Sequence, residues 1–248
     1  MKMKVIIPAV LITVTAGFTG CQKDTRSNSG NSTLEFQMQA MNRSYSLPVS
    51  ANGSKSVAVS SAAITWDTAR MVVSRLKYEA ELKKNISNHD SIKIAYEWNG
   101  PQIIDLLDPS TVLGSYTLLP GYYDEIELNV QGLKKDAAGN PVFYLNGMYT
   151  NPANTSVPIM FKVYEDVMFK TEKDSVEVTA DNSIFTSTIL LYLDQLLVGI
   201  DPLVLDHATL TNGAIVISAN SNAGLYHLIM QNLHKDHHCR HNHKPGYN

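Results

Sequence analysis

Apolar and polar residues alternate along most of this chain. Leu34, Phe36, Met38 and Ala40 alternate with Glu35, Gln37 and Gln39, the period-two pattern of a half-buried strand. The longest such run spans 64–82. Ile64, Trp66, Val72, Leu76, Tyr78 and Leu82 fall on one face, and Asp67, Arg75, Lys77, Glu79 and Glu81 on the other. Ile92, Ile94, Tyr96 and Trp98 alternate with Lys93 and Glu97, and Ile126, Leu128 and Val130 with Glu125, Glu127 and Asn129. Further strands are expected over 143–149, 158–169 and 176–178. The breaks carry turn chemistry: Asn52-Gly53, Asn99-Gly100-Pro101, Pro120-Gly121, Gly139-Asn140-Pro141 and Asn151-Pro152.

The last third reads differently. Residues 189–193 are continuously apolar and predict a central strand, followed by a short helix over 195–200 closed at Gly199. Asn212-Gly213 predicts a two-residue hairpin between 208–210 and 215–217. Leu225, Leu228, Ile229, Asn232 and Leu233 have helical spacing, with Ser221 or Asn222 as cap. Many short strands separated by regular turn signals predict an all-β fold. The expected architecture is a β-sandwich of two mostly antiparallel sheets with a short C-terminal helix, because each apolar sheet face needs a cover.

The first twenty residues do not fit that scheme. Lys2 and Lys4 precede an apolar run, Val5 to Ile12, and Phe18-Thr19-Gly20-Cys21 follows. This order is that of a secretory signal, and the run is too short to span a bilayer as a helix. The small residues before Cys21 resemble a bacterial lipoprotein cleavage site, with Phe18 where leucine is commonest. Cys21 is therefore the expected lipid acceptor. Two or three acyl chains anchor stably where one does not. Gln22-Lys23-Asp24 has no aspartate directly after the cysteine, and its Lys-Asp pair resembles the export signal of surface lipoproteins in Bacteroidota. The expected location is the outer membrane, facing outward. The organisation that follows is a leader over 1–20, a Ser/Asn/Gly-rich tether over 21–33, a sandwich over 34–220, a helix over 221–235 and a His-rich tail over 236–248.

Composition narrows the function classes. The chain has 20 Lys+Arg against 23 Asp+Glu, a net charge of −3. Removing Lys2 and Lys4 with the leader moves it to −5. A mildly acidic chain lacks the electrostatic footprint of a nucleic-acid binder. With only two cysteines, a lipidated Cys21 leaves Cys239 without an intrachain disulfide partner.

Candidate chemistry concentrates in the tail. His234, His237, His238, His241 and His243 account for five of the eight histidines and stand with Cys239 and Asp236. Imidazole and thiolate suit zinc or copper, and on a continued helix His234/His238 and His237/His241 would form i,i+4 pairs. The same composition also describes a polar tail with incidental metal affinity, so no cofactor is required. Catalytic signals are sparse. His89-Asp90 lacks a nucleophile in view. Asp105 and Asp108 admit an acid–base pair or a polar loop. Asp136 with Asn140 lacks the later acidic ligands of a calcium loop. No nucleophile elbow, His-Glu-x-x-His or phosphate loop is present. Trp66 and Trp98 fall on apolar faces and read as core. Tyr123, beside Tyr122, falls on the polar phase of its strand and is the expected ligand-binding aromatic. Asp67-Thr68-Ala69, Asp90-Ser91-Ile92 and Asp174-Ser175-Val176 fit a loose O-glycosylation pattern of Bacteroidota.

The span 64–130 also carries a family resemblance. Ile104-Asp105-Leu106-Leu107, Leu118-Leu119-Pro120-Gly121-Tyr122-Tyr123 and the strand 126–130 resemble lipoproteins of unknown function. In those an Asp-Leu-Leu segment precedes a Leu-Pro-x-Gly-x-Tyr hairpin. Here Gly121 follows Pro120 directly, one residue short of that pattern. The resemblance implies a β-sandwich on a bacterial surface without catalysis, and supplies no active-site residues. The expectation is a non-enzymatic binding or adhesion module for a glycan or protein ligand, with a transition-metal lipoprotein acting through its tail as the alternative.

Overall fold

A computed structural model of the chain describes residues 31–47, 61–84, 90–179, 183–234 and 239–245. The strands are β1 (Ser32–Met41), β2 (Ser44–Leu47), β3 (Ala62–Lys83), β4 (Ser91–Asp105), β5 (Val112–Leu118), β6 (Gly121–Gly132) and β7 (Phe143–Thr150). They continue with β8 (Ser156–Val163), β9 (Val167–Val178), β10 (Ile184–Tyr192), β11 (Leu210–Thr211), β12 (Ala214–Ile217) and β13 (Cys239–Pro245). Two short α-helices, α1 (Pro202–Asp206) and α2 (Ala223–Leu233), lie in the last third. The fold is all-β, as the alternation predicts.

Two sheets form. The smaller runs β13-β10-β1-β5, and the larger runs β11-β12-β8-β7-β3-β6-β9, with β2 and β4 also paired to β3. All strand pairs are antiparallel except β1–β10 and β8–β12. In the smaller sheet Thr33 pairs with Ile184, and Phe185 pairs with Pro245. The start of β1 and the end of β13 therefore lie at the same rim. Ser32, placed by the sequence in the tether, is already in this sheet, buried, with its hydroxyl donating to the Thr179 carbonyl at 3.1 Å.

The 22-residue β3 is the spine of the larger sheet. It pairs first with β2 and β7 and then with β4 and β6. Its pleat changes phase twice. Ala62, Ile64 and Trp66 are buried, then Ala69, Met71 and Val73, then Leu76, Tyr78, Ala80 and Leu82. Register shifts at Trp66/Thr68 and at Val73/Arg75 mark the two changes. At the first, β3 carries one more residue than β7, which sends its following side chains to the opposite face; at the second the extra residue lies in β4.

The inner faces share one core. Phe36 of β1 meets Tyr78 of β3 at 5.4 Å between ring centroids and stacks on Tyr96 of β4 at 5.3 Å. Each such side chain contributes roughly 1.5–3 kcal/mol on full burial. The expected turn at Asn99–Pro101 lies inside β4 instead, opposite the β3 register shift. The Asn212-Gly213 hairpin forms as expected, with φ of 52° and 79°, the paired positive angles of a type I′ turn. A five-residue 3-10 helix, Leu193–Leu197, occupies part of the expected 195–200 helix, and Gly199 has φ 78°. α1 was not expected from the pattern; Asp201 caps it by accepting the Leu203 amide at 3.0 Å. Asn222 precedes α2 at φ 50° but does not cap it. Its side chain instead ties Thr209 and Val216 together. No helix among the described residues is long and apolar enough to cross a membrane.

Candidate functional site

The register lines up four side chains across the larger sheet. Lys162 of β8 pairs with Tyr144 of β7, Tyr144 with Arg70 of β3, and Arg70 with Asp105 of β4. Directly opposite residues share a face, so the row reads Lys162, Tyr144, Arg70, Asp105. The Lys162 ammonium sits 6.0 Å from the Tyr144 ring centroid, the distance at which a cation feels the ring's quadrupole. A cleft of ≈ 340 Å³ lies along this row. Its accessible apolar surface comes from Ile103 and Pro141, with Met71 and Val72 buried in the lining, and its polar surface from Arg70, Lys162, Tyr144, Tyr164 and Asn140.

The two cations of this row stand without an ion pair among the described residues, as do Lys93 of β4 and Lys173 of β9, and they differ from those in lining a cleft. Elsewhere in the larger sheet Arg75 pairs with Glu97, Lys77 with Glu79, Lys83 with Asp124, and Lys170 with Glu127 and Glu172. Arg70 and Lys162 have no ion pair within 4 Å among the described residues. Asp105, opposite Arg70 in register, and Glu165 and Asp166, directly after Tyr164 in sequence, accept hydrogen bonds from neutral groups. Asp105 accepts the Leu107 amide at 3.0 Å. Glu165 accepts the Tyr226 hydroxyl at 2.7 Å. Asp166 accepts the Lys134 amide at 2.7 Å. The cleft thus presents two cations, two phenols and an amide over an apolar floor, with no carboxylate in its lining.

A second aromatic group closes the gap between the sheets. Tyr96 of β4 meets Tyr116 of β5 at 5.5 Å, and Trp98 packs where Gly114 of β5 has no side chain. Trp98 and both tyrosines are half-buried. β4 and β5 share no ladder here; side chains alone join these two edges.

Several expectations are corrected. Tyr123 is 1% exposed. Glu125, at φ 48°, and a register shift at Glu79/Glu81 bulge the ladder, so Tyr123 enters the core together with Ile126 and Leu128. Its hydroxyl donates to the Leu119 carbonyl at 2.9 Å and accepts the Leu119 amide at 3.0 Å. Burial pushes this phenol up to about 12. Tyr123 therefore clamps the β5–β6 turn and cannot meet a ligand. Trp66 is in the core as expected, 2% exposed, whereas Trp98 is only half-buried.

Asp105 and Asp108 each serve their own turn. Asp108 accepts the Ser110 amide at 2.9 Å and hydroxyl at 2.7 Å, and those bonds hold its carboxyl below the usual range. Asp136 sits in a one-turn 3-10 helix, and the Asn140 amide bonds the Ala137 carbonyl in a plain turn. α2 ends at Leu233, leaving His234 exposed at its C-terminus. Residues 239–245 form a strand, which places Cys239, His241 and His243 opposite Leu191, Ile189 and Ser187. His241 therefore lies in a strand and not on a continued helix. No group of three metal-ligating side chains converges among the described residues. Cys21 and its leader, His89, His237 and His238 lie outside the described residues. Thr68, Ser91 and Ser175 of the three glycosylation triplets all lie in strands.

The sequence did not single out Arg70, Tyr144, Lys162 or Tyr164. The available signal was the place of Arg70, Tyr144 and Lys162 on the polar phase of strands, which scores as ordinary surface; Tyr164 lies just after β8. No family model, curated protein or solved structure matches this chain.

Proposed function

We propose that this chain is a surface-anchored bacterial lipoprotein acting as a non-catalytic binding or adhesion module, with a glycan as its leading ligand class. The observation that carries the reading is the Arg70–Tyr144–Lys162 row with its open cleft. Tyrosine faces beside an apolar floor supply stacking area, and the flanking cations and Asn140 amide supply orienting hydrogen bonds. Ligand sites share this mix of apolar lining and few convergent polar groups. The lipobox around Cys21 supports the anchor. A rigid sheet held at the cell surface presents such a cleft to extracellular material.

Two measurements test the reading. The full chain expressed with its leader is expected in the membrane fraction, and Cys21→Ser is expected to release it. The mature chain carrying Cys21→Ser is then screened against an oligosaccharide panel. Binding in the micromolar range that is lost in Tyr144→Ala, with an unchanged circular dichroism spectrum, supports the module. Binding indifferent to Tyr144→Ala removes the cleft from the function.

A further inference from the structure

We propose that the cleft selects an anionic saccharide, a sugar bearing carboxylate or sulfate, through Arg70 and Lys162 acting on either side of Tyr144. This inference rests on the binding-module reading and names the ligand of that same cleft.

The first support is that both cations lining the cleft lack an ion-pair partner among the described residues, a condition that Lys93 of β4 and Lys173 of β9 share outside it. Arg75, Lys77, Lys83 and Lys170 each hold a carboxylate, and Arg70 and Lys162 hold none among the described residues. Asp105 stands opposite Arg70 in register and bonds its own turn instead. Glu165 and Asp166, directly after Tyr164, are bound by Tyr226 and by the Lys134 amide. Two positive charges therefore face the cleft in a chain whose net charge is −3. Hydrogen bonds from such cations to an anion are shorter and stronger than neutral ones.

The second support is spacing and shape. Arg70 and Lys162 flank β7 on either side, two strand spacings or about 10 Å apart at the backbone. Tyr144 lies between them in the same row. A planar or ring-shaped ligand lying over Tyr144 brings its substituents to both cations at once. The cleft volume of ≈ 340 Å³ suits a short saccharide. The accessible apolar lining, Ile103 (66% exposed) with Pro141, argues for an anionic group carried on a ring and against a bare inorganic anion. Tyr164, 43% exposed, adds a second ring at the open side. A long polyanion such as nucleic acid meets an acidic chain outside this small patch, which works against its binding.

The test is calorimetric titration of the mature chain carrying Cys21→Ser with three trisaccharides of equal length: a triuronate, a sulfated one and a neutral one. An anionic trisaccharide is expected to bind at least tenfold more tightly than the neutral one. The preference is expected to shrink as NaCl rises from 50 to 300 mM. Arg70→Gln and Lys162→Gln are each expected to cost about tenfold for the anionic sugar and little for the neutral one. Arg70→Lys is expected to restore part of the loss. The uronate and sulfate arms decide which anionic group is preferred. Equal binding of the neutral sugar, or indifference to both glutamine variants, overturns the anionic selection while the binding module stands. If no trisaccharide binds at millimolar concentration, the anionic class and the glycan reading fall together.

Discussion

Tyr123 shows how one side chain can be structural where its sequence phase says functional. Both of its hydroxyl hydrogen bonds go to Leu119 across the β5–β6 turn. Tyr123→Phe keeps the buried ring and deletes the clamp. A loss of about 1 kcal/mol is expected, read as a lower urea midpoint at unchanged m-value. The same phenol makes stability depend on pH at the alkaline end. The unfolded phenol ionises near 10, and the folded one, desolvated, only at about 12. Its contribution is whole below pH 10 and is lost as pH rises toward 12. Burial shifts Tyr45, Tyr78, Tyr149 and Tyr226 in the same direction. The urea midpoint is therefore expected to fall steeply above pH 10, less so in Tyr123→Phe. A flat midpoint from pH 9 to 11.5 would contradict the burial of these phenols.

At the scale of elements, bulges decided which readings of the sequence held. Strands with one uninterrupted phase, β1 above all, read correctly residue by residue. β3 read correctly at Ile64, Trp66, Val72, Leu76, Tyr78 and Leu82, all buried, and missed Ala69, Met71 and Val73 between its two phase changes. β6 failed at Tyr123 for the same reason. Alternation reports a pleat, and a bulge is a backbone event that alternation does not encode. The cleft was illegible for a different cause. Its row is assembled from β3, β7 and β8, and only strand order and register bring Arg70, Tyr144 and Lys162 together. The first β3 bulge also explains Gly147 of β7, which pairs with Trp66. A Cβ at Gly147 would collide with the Thr65 carbonyl oxygen and stand 2.8 Å from the Trp66 Cα. Gly147→Ala is expected to cost on the order of 3 kcal/mol, measured by thermal melting, whereas Gly224→Ala meets no such contact.

For the whole molecule, one continuous core joins both sheets, from Leu34 and Phe36 of β1 to Phe143 of β7 and Phe161 of β8. Unfolding is expected as a single transition, with near-UV and far-UV circular dichroism superimposing in urea. Separate transitions would mean the sheets are independent units. β13 pairs with β10, so Cys239, His241 and His243 belong to this body. Deleting residues 234–248 bares the edge of β10, and the truncated chain is expected to melt lower and to self-associate, since an open edge strand templates pairing. The smaller sheet has one more consequence. β1 and β13 flank β10, and the first residues of β1 and the last of β13 reach the same rim. Two strand spacings, about 10 Å, separate them. In its folded state the chain is close to a ring, opened at that rim. A short linker there and a new opening at Asn212-Gly213 would give a circular permutant with the same neighbours everywhere else. In such a permutant the proposed lipid anchor would no longer have to enter the fold through β1.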